Sequence, residues 1–141
     1  MCTQELKIGT IPAVLYGKPA PNIWLFVHGQ GGNKTEAAAF AALAAPTGWQ
    51  VLGIDLPEHG DRTGETDFTP WQVVPELQTV LAYLQQHRLR LAQQHLRRGQ
   101  LSIQQIAHKV GYSSETAFSQ TFKRNFELTP SQYRQQFQRG A

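Results

Sequence analysis

The chain has 141 residues, of which 40% are hydrophobic and 16% charged, and its formal net charge is +3. This length allows one ordinary domain or two small ones, and no apolar run approaches the roughly 20 residues of a membrane-spanning helix. The only cysteine, Cys2, cannot form an internal disulfide, which fits a reducing, cytoplasmic location.

Charge is distributed unevenly along the chain. Residues 1–86 contain four basic and eight acidic residues, a net charge of −4, whereas residues 87–141 contain nine basic and two acidic residues, a net charge of +7. An acidic half followed by a basic half predicts two modules, the second suited to a polyanion.

The first half has the pattern of an α/β module. Two short apolar stretches at 6–9 and 13–16 predict a strand pair. The continuous apolar run 23–27 predicts a buried parallel strand. An alanine-rich helix over 34–45 and a second strand over 49–54 then complete a β-α-β unit, for which a parallel, right-handed crossover is expected. A further helix is expected from about Val73 or Pro75.

A glycine-rich loop, His28 to Asn33, follows the first of these parallel strands. A phosphate-binding P-loop would need glycine at 28 and 33, so His28 and Asn33 exclude it. A dinucleotide site fits Gly29-x-Gly31 and an acid, Asp55, after the next strand, but Lys34 replaces the third glycine. That alternative stays open as a weak match.

The loop 28–32 and the segment 55–60, each placed after a strand, together make residues 6–86 resemble the front part of an α/β-hydrolase. The resemblance implies that Gly29 or Gln30 contributes a backbone N–H to an oxyanion hole. The family's Gly-x-Ser-x-Gly nucleophile motif does not occur in the sequence. We therefore expect no catalytic residue and no enzyme, only a truncated hydrolase-like domain. There are two alternatives. One is a small α/β domain with a different function; the other is a hydrolase-like or ligand-binding domain that a second chain completes.

The junction between the halves is predicted to be helical from 75 to 98. Leu77, Val80, Leu81 and Leu84 form one apolar stripe. Beyond Arg88 a second stripe follows, rotated by roughly a quarter turn: Leu89, Ala92 and Leu96. Two stripes facing differently are what an end-to-end fusion of two modules produces. We place the boundary near His87; a natural fusion and an artificial one both account for this pattern.

The segment from Leu101 to Tyr133 predicts a helix-turn-helix followed by a third helix. Ser102 and Gln105 have capping-box spacing, and Gly111 stands where a helix ends in the left-handed conformation. A second helix begins after Ser113 or Ser114, and Thr129-Pro130 opens the last one. Apolar side chains at helical spacing predict the core of this region: Ile103, Ile106, Ala107, Val110, Ala117, Phe118, Phe122, Phe126 and Tyr133.

Together with the preceding segment 88–96, these residues resemble the C-terminal helix-turn-helix unit of AraC/XylS-type transcription regulators, over residues 88–137. The family's first helix-turn-helix unit has no counterpart upstream. The resemblance implies sequence-specific binding of double-stranded DNA and transcription regulation.

Candidate DNA-binding residues lie on the outer face of the second helix and among the basic residues. Polar side chains near the N-terminus of a recognition helix meet base edges in the major groove, and basic side chains contact phosphates. The candidates are Glu115, Thr116, Ser119 and Gln120 for base edges, and Lys123, Arg124, Arg97, Arg98 and Arg134 for phosphates. The alternative is a solvated face on small helices.

The overall prediction is an α/β N-terminal part, residues 1–86, fused to an all-α helix-turn-helix domain, residues 87–141. No cofactor, metal site or membrane segment is expected. We also expect self-association through open edges of the N-terminal sheet. A fusion of two inactive modules is the remaining alternative.

Overall fold

The computed structural model describes residues 1–64 and 68–139 and divides into two compact units, Met1–Leu84 and Gln85–Ala141. Unit 1 contains strands β1 (Thr3–Ile8), β2 (Ile11–Tyr16), β3 (Ile23–Val27) and β4 (Gln50–Ile54), with helix α1 (Ala37–Ala44) between the last two. Helix α2 (Pro70–Arg98) begins in unit 1 and ends in unit 2. Unit 2 continues with α3 (Ile103–Lys109), α4 (Glu115–Phe126) and α5 (Pro130–Gln138).

The sheet of unit 1 has the order β1-β2-β4-β3 and is mixed. The parallel pair predicted from the two apolar runs is present, with Ile23 opposite Gln50 and Val27 opposite Ile54. β1 and β2 form an antiparallel hairpin, and β2 is also antiparallel to β4. The expectation of a parallel sheet was therefore wrong beyond β3 and β4, because β2 lies between the hairpin partner β1 and the parallel pair.

Several predicted bounds differ from the structure. Ile11 and Pro12, expected in the connection, belong to β2, where Pro12 lies opposite Lys7. The helix expected over 34–45 starts with a 3₁₀ turn, Lys34–Glu36, before α1. α2 begins at Pro70 and contains Pro75 in its interior, a position that costs one backbone hydrogen bond.

Each face of the sheet is covered by a helix of the same unit. α1 packs its small side chains Ala37, Ala41 and Ala44 on one face. The approach is close at Gly53, where an added Cβ would lie 2.8 Å from the Ala37 Cβ and would collide with the Lys34 carbonyl oxygen. Glycine at this position therefore sets the distance between α1 and the sheet.

The first part of α2 covers the other face through Val73, Leu77, Val80 and Leu84. Val80 is fully buried, whereas Leu81 is 58% exposed. The prediction that Leu81 belongs to the buried stripe was wrong, because one residue advances a helix by about 100° and Val80 already occupies the inward direction. The second predicted stripe, Leu89, Ala92 and Leu96, is buried in the core of unit 2.

Candidate functional site

In unit 2, helices α3 and α4 and the turn between them form a helix-turn-helix with local signals at every junction. The Ser102 side chain accepts from the Gln105 N–H, and the Gln105 side chain accepts from the Ser102 N–H, a complete capping box. Gly111, at φ +87°, turns the chain after α3 in the left-handed region that glycine adopts without steric cost. Ser114 caps α4 by accepting from the Ala117 N–H at 3.1 Å, so the helix begins one residue later.

The inner face of α4 is fixed by aromatic packing. Phe118 and Phe122 are fully buried, with their ring centroids 5.6 Å apart. Phe126 lies 4.6 Å from Phe122, and Tyr133 of α5 meets Phe122 edge to face at 5.4 Å. Because these rings hold the helix on one side, the opposite face of α4 is presented in a defined orientation.

Of the six candidate residues of α4, four lie on that opposite face and are exposed: Thr116, Gln120, Lys123 and Arg124. At about 100° per residue these four span about 100° of the helix circumference. Glu115 is exposed in the first turn in the direction of Phe122, and Ser119 is half-buried between the two faces. A 12-residue helix is about 18 Å long, long enough to lie in a major groove.

The predicted phosphate contacts fall into two groups. The side chains of Arg98, Lys123 and Arg124 are exposed and make no hydrogen bond or ion pair within residues 1–64 and 68–139. Arg97 instead donates to the Tyr133 hydroxyl at 2.9 Å and its guanidinium lies 4.7 Å from the Phe137 ring centroid. Arg134 donates to the Leu101 carbonyl at 2.6 Å, tying α5 to the segment before α3. Arg97 and Arg134 thus already have contacts inside unit 2.

Lys109, at the end of α3, was not among the predicted contacts. Its ammonium group and Arg98 act on the same residue, His95, whose pKa lies below its usual value because of burial and then the repulsion of these two charges. The sequence feature that could have identified Lys109 is its position as a basic residue in the last turn of α3. Arg98 and Lys109 therefore form a second basic group in unit 2.

The glycine loop of unit 1 borders a surface depression of about 840 Å³. Its lining contains both residues predicted for an oxyanion hole, Gly29 and Gln30. The N–H groups of Gln30 and Gly31 donate no hydrogen bond to any residue whose position is described. Glu58, also in the lining, has a φ of +64°, which is costly for a residue other than glycine.

The two histidines of this depression differ in their hydrogen bonds. His28 is buried, and its Nε2 accepts from the Leu56 N–H at 3.1 Å, so Nδ1 carries the proton that is donated to the Gly29 carbonyl at 2.8 Å. Both nitrogens are occupied, which makes His28 structural. His59 donates from Nδ1 to the Pro57 carbonyl at 2.8 Å, and this leaves Nε2 as an acceptor without a partner in the described part of the chain.

Asp55 is the centre of a buried ionic network. Its carboxylate accepts from the Lys34 N–H at 2.7 Å, from Lys34 Nζ at 2.9 Å and from the Asp61 N–H at 3.1 Å. Asp61 also binds Lys34 Nζ, at 2.6 Å. Because Asp55 is fully buried, its carboxylate cannot reach a ribose, and the dinucleotide alternative loses the acid on which it depended.

This network shifts two pKa values in opposite directions. Burial alone would raise the pKa of Asp55, but the hydrogen bonds from Lys34 and Asp61 and the attraction of the ammonium group bring it below its usual value. For Lys34, burial would lower the pKa, yet the bonds to Asp61 and Asp55 raise it. The ionised pair is therefore the form that the fold stabilises.

We expect unit 1 to lose stability in acid through Asp55. A carboxylate whose pKa is depressed on folding contributes stability that is fully present above its unfolded pKa, about 4, and that disappears as the pH falls through the folded value. Urea unfolding of the wild type and of Asp55→Asn, followed from about pH 6 to about pH 2, should show midpoints that converge in acid. A constant difference between the two midpoints would contradict the assignment.

Comparison with known proteins identifies the domain in the second half of the chain. Residues 76–136 match the family model of a helix-turn-helix domain. The transcriptional regulator AlkR of Acinetobacter baylyi is 75% identical over 59 residues, which are 42% of this chain and 19% of AlkR. The regulatory protein SoxS of Escherichia coli K12 is 46% identical over 57 residues, 40% of this chain and 53% of SoxS. The AraC-type helix-turn-helix domain expected from the sequence is therefore present, and the family match starts 12 residues before the expected position 88.

The chain spans about a fifth of AlkR and about half of SoxS. Among solved structures, proline iminopeptidase of Mycobacterium smegmatis matches with a TM-score of 0.43 and 16% identity, over 94% of this chain and 64% of that chain. A likeness at this level carries no argument about unit 1. No helix in the described part of the chain is long and apolar enough to cross a membrane, and no group of three or more potential metal ligands occurs there.

Proposed function

We propose that the AraC-type domain binds double-stranded DNA sequence-specifically and regulates transcription, with α4 in the major groove. The observation that carries this proposal is the α4 face itself, which is exposed and polar and stands on a buried aromatic core. Such a face is what a recognition helix presents to base edges. A DNA partner also implies a cytoplasmic location.

The first two turns of α4 supply the base contacts in this proposal. Gln120 can form two hydrogen bonds with adenine, and Glu115 can accept from the cytosine amino group. Thr116 and Ser119 offer hydroxyl groups to either. Glu115 has a further role in the fold, because a carboxylate in the first turn interacts favourably with the helix dipole.

Phosphate contacts are assigned to the exposed basic residues of the domain. Lys123 and Arg124 follow the base-reading residues by one turn, and Arg98 and Lys109 form the second group. We keep Arg97 and Arg134 as weaker candidates, since their guanidinium groups already bind Tyr133 and Leu101. The net charge of residues 87–141, +7, favours a polyanion over a solvated face without a partner.

Fluorescence anisotropy with a labelled random-sequence duplex, titrated at several salt concentrations, tests this proposal. With three or four phosphate contacts, the logarithm of the binding constant should fall against the logarithm of salt with a slope of about −3 to −4. The variant Lys123→Ala/Arg124→Ala should bind more weakly, with a slope reduced by about 2.

Arg90→Ala/Arg139→Ala is the matched control, because it removes the same charge from exposed positions outside α3 and α4. This control should bind nearly as the wild type does. Equal losses in both variants would mean a nonspecific basic surface and would contradict the role of α4. No binding at low salt would contradict DNA binding altogether.

For the first half of the chain we propose a separately folded domain over residues 1–86, derived from the front part of an α/β-hydrolase and fused to a regulator domain over 87–141. Support comes from the β3-α1-β4 crossover with the glycine loop directly after β3. The depression beside that loop favours ligand binding without catalysis as a second function, because the N–H groups of Gln30 and Gly31 have no acceptor among residues 1–64 and 68–139.

Hydrolysis of 4-nitrophenyl acetate separates ligand binding from catalysis in unit 1. If unit 1 is noncatalytic, 4-nitrophenyl acetate should be hydrolysed only at the background rate. The control variant is Gly29→Val, which the fold accommodates, because no atom lies within 4 Å of an added Cβ at this position. Hydrolysis above background that Gly29→Val abolishes would establish the enzyme alternative instead.

A further inference from the structure

Among the residues that the structure describes, β3 pairs on one side only, with β4. Its other edge carries backbone groups without a partner in this part of the chain. The Gln50 N–H donates to the Asn22 carbonyl at 3.0 Å, so Asn22 directs its backbone groups towards β4. Because these directions alternate along a strand, Ile23, Leu25 and Val27 direct their N–H and C=O groups to the open side.

The two edges of the sheet differ in how they are protected. β1, the other edge, has the sequence TQELKI and carries a charge of each sign at Glu5 and Lys7. β3 has the sequence IWLFV, with no charged residue and no proline. Charges and prolines are the usual means of preventing edge-to-edge pairing, so only the β3 edge is open to an added strand.

An apolar surface adjoins this edge on the side of α1. The rings of Trp49 and Trp24 meet at 5.9 Å and those of Phe26 and Phe40 at 5.0 Å, and Trp24 and Phe26 lie on the same face of β3. Trp24 is 47%, Phe40 45% and Trp49 36% exposed. An aromatic side chain has an accessible surface of about 150–250 Å², so these three together expose about 250 Å². This is roughly a third of the surface that each partner buries in a standard protein–protein interface.

The open edge of β3 is complementary to itself. Its outward-directed residues, Ile23, Leu25 and Val27, are symmetric about Leu25, the middle of the strand. A second β3 placed antiparallel around a two-fold axis at Leu25 would set Ile23 opposite Val27 of the second copy and Leu25 opposite itself. Each of these would be a hydrogen-bonded pair, so every outward N–H and C=O would be paired.

We propose that a second copy of this chain docks at the β3 edge, antiparallel and centred on Leu25, and continues the sheet across a two-fold axis. Such an interface is isologous, since the same patch serves both protomers. The other strands of unit 1 offer no equal partner, because β1 is charged and β2 and β4 are paired on both sides. The proposal does not depend on DNA binding.

Sedimentation velocity over a range of concentrations tests the association. The wild type should reach twice the monomer mass of 15.8 kDa, whereas Val27→Lys should stay monomeric, because the two-fold axis places two lysines in an apolar interface. Val27 is 41% exposed, so the variant should keep its fold, which tryptophan fluorescence verifies. Gln4→Lys, exposed on β1, is the matched control and should dimerise.

The proposal would be overturned by a wild type that stays monomeric at high concentration, by a Val27→Lys protein that associates as the wild type does, or by equal losses in Gln4→Lys. Leu81→Lys removes another exposed apolar side chain, on α2. If it abolished association as well, general hydrophobic contact rather than β3 pairing would be responsible.

Disulfide trapping tests the register in a Cys2→Ser background. Opposite residues of a hydrogen-bonded antiparallel pair have Cα atoms about 5.5 Å apart, within disulfide range. Leu25→Cys should therefore link to itself, and Ile23→Cys should link to Val27→Cys in a mixture. Val27→Cys alone should not, since the two copies of residue 27 would lie about 13 Å apart along the strands. This register would be excluded if Val27→Cys formed a disulfide-linked dimer with itself while Ile23→Cys and Val27→Cys formed no disulfide with each other.

Discussion

Replacing Asp55 by alanine is expected to destabilise unit 1 by about 3–5 kcal/mol, the usual cost of removing one partner from a buried ion pair. The substitution leaves the Lys34 ammonium group, which is nearly buried, with Asp61 as its remaining acid partner. It also deprives the Lys34 and Asp61 N–H groups of their acceptor. Segments on either side of α1 thus lose a common anchor.

Tryptophan fluorescence during urea unfolding measures this effect selectively, because all three tryptophans lie in unit 1. The double variant Asp55→Ala/Lys34→Met is the control. It removes both charges, so it should be more stable than Asp55→Ala alone. If Asp55→Ala unfolded at the wild-type urea concentration, the network would contribute nothing to the stability of unit 1.

Replacing Phe122 by alanine is expected to destabilise unit 2 by about 3–5 kcal/mol. Phe122 is fully buried and contacts the rings of Phe118, Phe126 and Tyr133. Its removal leaves a cavity among these rings under α4, and the cost of such a cavity adds to the lost burial of the side chain. Because α4 then has no fixed orientation, DNA binding should be lost with the fold.

Hydrogen exchange followed by mass spectrometry resolves this loss by segment. Amides of α3, α4 and α5 should exchange faster in Phe122→Ala, while those of β2 and β4 keep their protection. Phe137→Ala, at a 41% exposed position of α5, is the matched aromatic control and should change little. Protection of α4 at the wild-type level in Phe122→Ala would contradict the assignment of the core.

The helix-turn-helix was predictable because its signals are local. Ser102 with Gln105, Gly111, Ser114 and Thr129 determine where the helices begin and end within a few residues of themselves. The outer face of α4 follows from the same periodicity that assigns Phe118 and Phe122 to the core. Local signals of this kind need no knowledge of distant contacts.

Features that depend on distant contacts were not predictable in the same way. Asp55 and Lys34 are 21 positions apart, and only the crossover through α1 brings them together. Arg134 and Leu101, which are in contact, are 33 positions apart in the sequence. Because this contact could not be recognised from the sequence, Arg134 was assigned to phosphate on its positive charge alone. Likewise, nothing in the sequence of α2 near Leu81 indicated which of two adjacent apolar residues would face the sheet.

The central claim, that α4 reads base edges, is tested most directly by selecting duplexes from a random pool with the wild type and with Gln120→Ala. The account predicts an enriched sequence for the wild type and a relaxed preference at one adenine position for the variant, worth about 1–3 kcal/mol of discrimination. Lys123→Ala, the control, should enrich the same sequence with uniformly weaker binding. No enriched sequence, or the same preference at every position in Gln120→Ala, would contradict it.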